Sequence, residues 1–253
     1  MAGETIKSEA ICLDVRPWSR TSHVVSWLTP MGKVSTVVKG AVRAKSQFLG
    51  QYDLNYTCDI VYYARAKGEL HALREAVPVE MREELREDYR KLALAGYFRR
   101  LVAELAPMGE ECRAWYVLLA QVLSSLVPHP SSLVRFELEV LRLSGLAPDF
   151  SRFKVVASAS RGGRDGTGDE WLPFSLETGS FGSGEGRCIR VSREVAEWLS
   201  LLQRGGETPP QNLQTPLDAA RVIGVFYQFH LDCASDVRRT VLGMISSSKE
   251  GNG

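Results

Sequence analysis

The hydrophobic pattern of the chain changes its period at Pro78, and this change constrains the fold more than any other feature of the sequence. Before Pro78, short runs alternate between apolar and polar residues, as half-buried β-strands do. After it, residues 80–104 are rich in charged helix formers and carry apolar residues at helical spacing. The sequence therefore predicts a β domain over residues 1–78 and an α-helical domain over residues 79–253.

Five runs in the first domain have the pattern of strands, and turns that contain Gly, Pro or polar residues separate them. The runs cover residues 11–15, 24–28, 34–38, 54–62 and 69–76. Five strands in a domain of this length match an OB-fold, which is a partly closed five-stranded barrel. We therefore predict an α+β multidomain protein with an N-terminal OB-fold.

The second domain is predicted to begin with three helices, over residues 80–104, 115–126 and 131–145. Ser131 or Ser132 is the expected N-cap of the third helix, because a serine side chain can accept from the free backbone N–H groups at a helix start. No run of about 18 apolar residues occurs, and the N-terminus lacks the apolar segment of a secretory signal. We expect a cytoplasmic protein without a membrane partner.

The net charge of +1 conceals an uneven distribution of charged residues. Residues 16–74 contain nine basic and three acidic residues, so this stretch carries +6 and the remainder of the chain is mildly acidic. Because a local positive field attracts polyanions whatever the net charge of the whole protein, the barrel is the part of the chain expected to bind nucleic acid.

Signatures of enzymes and of metal sites are missing from the sequence. It has no GxxxxGKS/T loop, no GxSxG motif and no HExxH motif, and its five cysteines and four histidines are scattered. An acidic cluster over residues 83–88 interleaves with arginines, which is typical of a solvated helix face with ion pairs. We therefore predict a non-enzymatic protein with no catalytic residue and no metal ligand.

Candidate nucleic-acid-binding residues lie in the predicted barrel. Lys39, Arg43 and Lys45 follow a strand end into a loop, and Arg16 and Arg20 flank Trp18 after the first strand. Cations hold phosphate groups and exposed aromatic rings stack on bases. In the alternative interpretation, Trp18 is a core residue and the cations only keep the barrel soluble. Composition alone favours this alternative and DNA binding equally. Four further basic residues complete the candidate set: Lys33, Arg65, Lys67 and Arg74.

Three motifs in this region, in this order, resemble the N-terminal pattern of the RecO family of recombination mediators. They are RPWS at residues 16–19, TPMGK at 29–33 and KGAVR at 39–43. Further along the chain, GELHALREA at residues 68–76 is similar to the strand that closes the family's barrel, and residues 135–148 resemble its central helix. Motifs in family order over nearly the whole chain make the resemblance more specific than any one of them.

The resemblance implies a function in homologous recombination repair. A RecO-type protein is expected to bind single- and double-stranded DNA, to anneal complementary strands, to pair with RecR and to help RecA load onto coated DNA near the nucleoid. It also implies that the helical domain receives the acidic C-terminal tail of single-stranded DNA-binding protein, for which Arg135 and Phe136 are the candidates. An internal ion pair is the alternative role for Arg135.

Residues 149–190 form a Gly- and Ser-rich insert that we expect to be flexible. Many RecO proteins carry two CxxC pairs there and bind a structural zinc ion. In this chain the four aligned positions hold residues that cannot ligate zinc: Phe153, Val156, Ser183 and Gly186. We therefore predict no zinc, and an insert either held by packing or loosened.

Two other functions are compatible with the same pattern. An OB-fold that binds RNA or a ribosome could use the same barrel and loops, and would prefer structured RNA to single-stranded DNA. In an interaction scaffold the helical domain would bind partners and the barrel would show no salt-dependent binding to DNA.

Overall fold

A computed structural model describes residues 4–65, 68–108, 112–151, 171–182, 186–206, 212–231 and 235–246. The chain divides into two compact units, Met1–Leu126 and Val127–Gly253. In the described residues no helix is both long enough and apolar enough to cross a membrane.

A closed five-stranded barrel forms the first part of the first unit, in the strand order β1-β2-β3-β5-β4. The strands are β1 (Thr5–Ser19), β2 (Ser22–Thr29), β3 (Gly32–Val38), β4 (Thr57–Tyr63) and β5 (Leu70–Glu80). Neighbouring strands are antiparallel except β3 and β5, which pair in parallel. The predicted OB-fold is confirmed, and β1 and β5 are longer than their sequence patterns indicated.

The length of β1 allows the barrel to close. Its first half, Thr5 to Ile11, pairs with β4, and its second half, Ile11 to Ser19, pairs with β2. The register with β2 shifts between Cys12 and Asp14, which bends the strand from one neighbour to the other. Four consecutive residues at this bend, Ala10 to Leu13, are buried. The alternation of buried and exposed residues that is typical of a strand is therefore interrupted here.

Aromatic and aliphatic side chains of all five strands fill the barrel. Trp27 is fully buried, and its indole N–H donates to the Thr36 hydroxyl at 2.8 Å. Tyr52 packs edge-on against Trp27, and burial raises the pKa of Tyr52 to about 12. Trp27 and Tyr62 are therefore core residues, as alternating aromatics in strands usually are.

The described residues of the first unit also form two α-helices, α1 (Tyr89–Leu105) and α2 (Arg113–Ser124). The predicted helix over residues 80–104 is wrong in its first part, where β5 runs on to Glu80 and a short 3₁₀ turn follows at Glu83–Leu85. Arg82 causes the break. It has a left-handed backbone (φ 52°), and its buried guanidinium donates to the Asn55 carbonyl at 2.5 Å and to Glu80 at 2.7 Å.

The second unit contains four helices and a small sheet among its described residues. They are α3 (Pro130–Leu143), β6 (Trp171–Ser175), β7 (Ser180–Phe181), β8 (Cys188–Ser192), α4 (Arg193–Gln203), α5 (Gln214–His230) and α6 (Ser235–Ser246). The N-cap of α3 is His129, whose ring nitrogen accepts from the Ser131 N–H at 3.1 Å. The prediction that a serine caps this helix is wrong, because Pro130 occupies the first helical position.

The described part of the insert is a three-stranded antiparallel sheet in the order β7-β6-β8, so the expectation of a flexible segment is wrong for these residues. Packing between aromatic rings explains why these residues form a defined structure. Phe174 stacks on Phe150 with 5.3 Å between ring centroids and meets Phe181 at 5.3 Å and Phe226 of α5 at 5.9 Å. The positions of Phe153, Val156 and Ser183 lie outside the described residues.

Candidate nucleic-acid interface

The hairpin of β1 and β2 carries Arg16, Trp18 and Arg20 at its free end. In the register of the two strands Arg16 lies opposite Val24 and Ser19 lies opposite Ser22, with an irregularity at Trp18. The Trp18 side chain is 63% exposed. The alternative that Trp18 is a core residue is therefore wrong, and its side chain is accessible, as are those of Arg16 and Arg20. We call residues 16–20 the hairpin tip.

The loop that follows β3 lies beside the hairpin tip. Val38, the last residue of β3, pairs with His23 near the start of β2, so Lys39 leaves the barrel at the same end. Two weak hydrogen bonds connect the loop to the hairpin: the Gly40 N–H donates to the Ser22 hydroxyl at 3.3 Å, and the Val42 N–H donates to the Thr21 carbonyl at 3.4 Å. We call residues 39–45 the basic loop.

Gly40 gives the basic loop its turn. Its φ of +69° lies in the left-handed region that residues with a Cβ atom rarely adopt. A Cβ atom there would lie 3.2 Å from Cδ of Arg43, whose own N–H donates to the Gly40 carbonyl at 3.1 Å. The glycine therefore lets the Arg43 side chain lie across the turn.

Most of the cations at this end of the barrel are not neutralised. In the part of the chain that the structure describes, no carboxylate is within ion-pairing distance of four of them: Arg20, Lys39, Arg43 and Lys45. Arg16 contacts Asp14. Because exposed cations without partners leave a positive potential in the solvent, this end of the barrel attracts phosphate groups.

Arg74 extends this basic surface along β5. Its carbonyl accepts from the Gln47 side chain at 3.0 Å, and Gln47 belongs to the segment that follows the basic loop. The Arg74 guanidinium lies 5.8 Å from the ring centroid of Tyr63, a residue 41% exposed, and forms an ion pair with Glu75 at 3.2 Å. The sequence pattern does not distinguish exposed Tyr63 from its buried neighbour Tyr62.

Arg65 lies on the connection between β4 and β5. It is exposed, and its backbone N–H donates to Nδ1 of His71 at 3.2 Å. Burial and the nearby Arg65 charge lower the pKa of His71, whose ring stacks on Tyr62. Lys67, the other candidate in this connection, lies outside the described residues.

Lys33 lies at the opposite end of β3 from Lys39. Seven residues of β3 separate the two ends, so the two lysines are about 20 Å apart along the strand. The Lys33 ammonium donates to the Ala103 carbonyl of α1 at 2.8 Å, and burial lowers its pKa. The structure therefore places Lys33 where β3 packs on α1, apart from the basic loop and the hairpin tip.

Arg135 and Phe136, the candidates for binding a protein tail, lie on α3 in the second unit. Phe136 is 2% exposed and Arg135 is half-buried. The next residue, Glu137, is fully buried and accepts two hydrogen bonds from Arg238, at 2.7 and 2.8 Å. Phe136 thus contributes to the helical core, and tail binding at this position stays a prediction.

The described residues of the insert do not offer a ligand set for a zinc ion. Among the described residues no group of three or more His, Cys, Asp or Glu side chains is placed to hold a metal. Gly186 offers no side chain, and exposed Cys188 alone cannot provide the four ligands of a tetrahedral site.

Comparison with known proteins identifies two family models in the chain. The model described as recombination protein O N terminal matches residues 1–82, and the one described as recombination protein O C terminal matches residues 86–235. These ranges correspond to the barrel and to the helices and small sheet that follow it.

Three curated relatives named DNA repair protein RecO illustrate the similarity. The protein of Anaeromyxobacter dehalogenans (strain 2CP-C) is 26% identical over 251 residues, which cover 93% of this chain and 95% of that protein. That of Salinibacter ruber (strain DSM 13855 / M31) is 26% identical over 257 residues, or 96% of this chain and 95% of the relative. For Alkaliphilus metalliredigens (strain QYMF) the identity is 30% over 149 residues, which is 56% of this chain and 59% of the relative.

Proposed function

The chain belongs to the RecO family of DNA repair proteins, and on that premise we propose that it is a non-enzymatic recombination mediator that binds single- and double-stranded DNA and anneals complementary strands. The observation that carries the proposal is the exposed Trp18 ring between two arginines, beside a basic loop whose cations have no described ion-pair partner. An exposed aromatic ring among cations suits a flexible polyanion whose bases can unstack.

Annealing needs no covalent chemistry from the protein. Two strands repel each other through their phosphates, and lysine and arginine side chains that contact phosphate reduce this repulsion and release counterions. Contacts to the backbone leave the base edges free to pair. Trp18 can hold one base by its face, which is independent of sequence because every base has a π face. The hairpin tip and the basic loop therefore suffice for sequence-independent annealing.

Mediation also requires protein partners, and we propose the same partners that the RecO family is expected to have. RecR is the proposed partner in the complex. The acidic C-terminal tail of single-stranded DNA-binding protein is the proposed ligand of the helical unit, with Arg135 as the candidate cation. Together these contacts would help RecA load onto coated DNA in the cytoplasm. We propose that it does this without zinc, because the positions aligned with the family's cysteines hold residues that cannot ligate the ion.

Annealing of complementary oligonucleotides coated with the cognate single-stranded DNA-binding protein tests the proposal. We expect the protein to accelerate annealing, and to do so less well when the coating protein lacks its C-terminal tail. No acceleration with either coating protein would refute mediation. A parallel titration with a structured RNA hairpin provides the second criterion, because tighter binding to RNA than to single-stranded DNA would favour an RNA-binding OB-fold.

A further inference from the structure

The outer face of β1, β4 and β5 forms a shallow groove of about 380 Å³ on the first unit. Two rows of side chains line it, because residues opposite one another in paired strands share a face. Lys7, Val61 and Glu75 form one row, and the next row consists of Glu9, Asp59 and Val77. We call these six residues the acidic groove.

The acidic groove combines negative charge with exposed aliphatic surface. Its three carboxylates face two cations, the Lys7 ammonium and the Arg74 guanidinium that pairs with Glu75 at 3.2 Å, so the groove keeps a net negative charge. Val77 and its same-face neighbour Val79 are each 56% exposed, so they form a small exposed aliphatic surface on β5. A closed barrel offers no free strand edge, so a partner on this face must bind through side chains. The matching partner is apolar at its centre and positive around it.

The hairpin tip of the same chain has this composition. Its Trp18 side chain is exposed, and an exposed arginine lies two residues away in the sequence on either side. Trp18 lies nine positions beyond Glu9 on β1, a path of about 30 Å along the strand. Since the Trp18 ring is exposed, the tip does not fill the groove of its own barrel.

We propose that the acidic groove receives the hairpin tip of a second copy of this chain. The indole ring of Trp18 lies against Val61 and Val77, and the two arginines approach Asp59 and Glu75. Each copy has one tip and one groove, so the contact joins copies head to tail. A contact of this size between exposed charges is weak and sensitive to salt.

Self-association of this kind regulates the DNA-binding surface, because DNA and the second copy require the same Trp18 ring and the same arginines. This competition rests on the proposed function, whereas the groove contact itself does not. Excess free protein is held in short chains, and single-stranded DNA releases it.

Sedimentation velocity between about 5 and about 300 μM tests the contact without DNA. At about 50 mM salt the weight-average sedimentation coefficient should rise with concentration, towards about 1.5 times the monomer value, and it should stay at the monomer value at about 500 mM. A coefficient that does not change with concentration at low salt would overturn the proposal.

Charge reversal identifies the two surfaces. A tip variant (Arg16→Glu, Arg20→Glu) and a groove variant (Asp59→Lys, Glu75→Lys) should each remain monomeric alone, and an equimolar mixture of them should associate. All four positions are exposed, and circular dichroism checks that both variants fold. The matched control (Glu84→Lys, Glu87→Lys) changes the charge equally outside the groove and should associate like the wild type. A folded pair that stays monomeric when mixed, or a groove variant that associates normally, contradicts the proposal.

Addition of a single-stranded oligonucleotide to the associated wild type separates the two hypotheses. Dissociation of the chains on DNA binding supports the competition. Association without any DNA binding refutes the proposed function and leaves the groove contact standing. DNA binding by a strictly monomeric protein refutes the groove contact and leaves the proposed function standing.

Discussion

Two arginines, one in each unit of the molecule, have opposite roles. At the hairpin tip of the first unit, Arg20 is exposed and has no ion pair among the described residues. In the second unit, Arg238 is almost buried, and it binds both oxygens of Glu137 and the Ala220 carbonyl at 2.6 Å. The first charge is available to a ligand, whereas the second holds three helices together. The contrast shows that the surroundings of an arginine, more than its presence, determine which of the two roles it has.

The largest expected effect comes from breaking the buried pair. Glu137→Ala leaves the Arg238 guanidinium buried without its counter-ion, and removal of one partner of such a pair costs about 3–5 kcal/mol of unfolding free energy. Chemical denaturation measures this loss of unfolding free energy. The double variant Glu137→Leu, Arg238→Met replaces both charges and should recover most of the loss. A stable single variant would show that the pair is not a structural element of the second unit.

The next largest effect concerns the basic loop. Lys39→Glu, Arg43→Glu and Lys45→Glu together should weaken binding to single-stranded DNA of any sequence by about a hundredfold or more. The slope of log affinity against log salt should also decrease by about 2, since each phosphate contact contributes about 0.7. Fluorescence anisotropy over a salt series measures both quantities.

The control for the loop variant is Arg239→Glu in α6, a reversal at another exposed position. It should leave the salt slope unchanged. If the triple variant retains the wild-type affinity and slope, the basic loop is not part of the interface. The unfolding free energy of the triple variant should stay near that of the wild type, because the side chains of Lys39, Arg43 and Lys45 are exposed.

Trp18 should contribute by stacking rather than by charge. Trp18→Ala is expected to weaken binding to single-stranded DNA by about 1–3 kcal/mol and to affect double-stranded DNA less, because paired bases are not free to stack on the ring. The salt slope should not change, and Trp18→Phe should restore part of the affinity. An equal loss on both kinds of DNA would indicate that Trp18 supports the hairpin instead.

The sequence predicted the barrel because alternation of apolar and polar residues survives in most of its strands. It could not decide whether Trp18 is buried, because the register of β1 and β2 is irregular between Pro17 and Ser19, where alternation carries no information. The break at Arg82 was missed for a different reason. A charged residue among helix formers gives no sign that its side chain will be buried against Asn55, which is distant in sequence.

The small sheet of the insert was also beyond the sequence pattern. Phe174 and Phe181 are separated by a tight turn, and both depend on Phe150, which lies before the Gly- and Ser-rich stretch. The local composition of the Gly- and Ser-rich stretch predicts a loop, because it contains no information on the aromatic rings outside the stretch that pack against its ends. The same limit applies to the candidate site, where Lys33 and Lys39 look equivalent in sequence.

The smallest expected effect compares these two lysines directly. Lys39→Gln removes one exposed cation from the basic loop and should lower the salt slope on single-stranded DNA by about 0.7. Lys33→Gln should leave the slope unchanged, because the Lys33 ammonium is bonded to the Ala103 carbonyl at the other end of β3. It should instead reduce the unfolding free energy by at most about 1.5–3 kcal/mol, the usual range for a hydrogen bond that involves a charged group. A lower slope for Lys33→Gln would extend the DNA path along β3 to α1 and remove the distinction between structural and ligand-binding cations within the barrel.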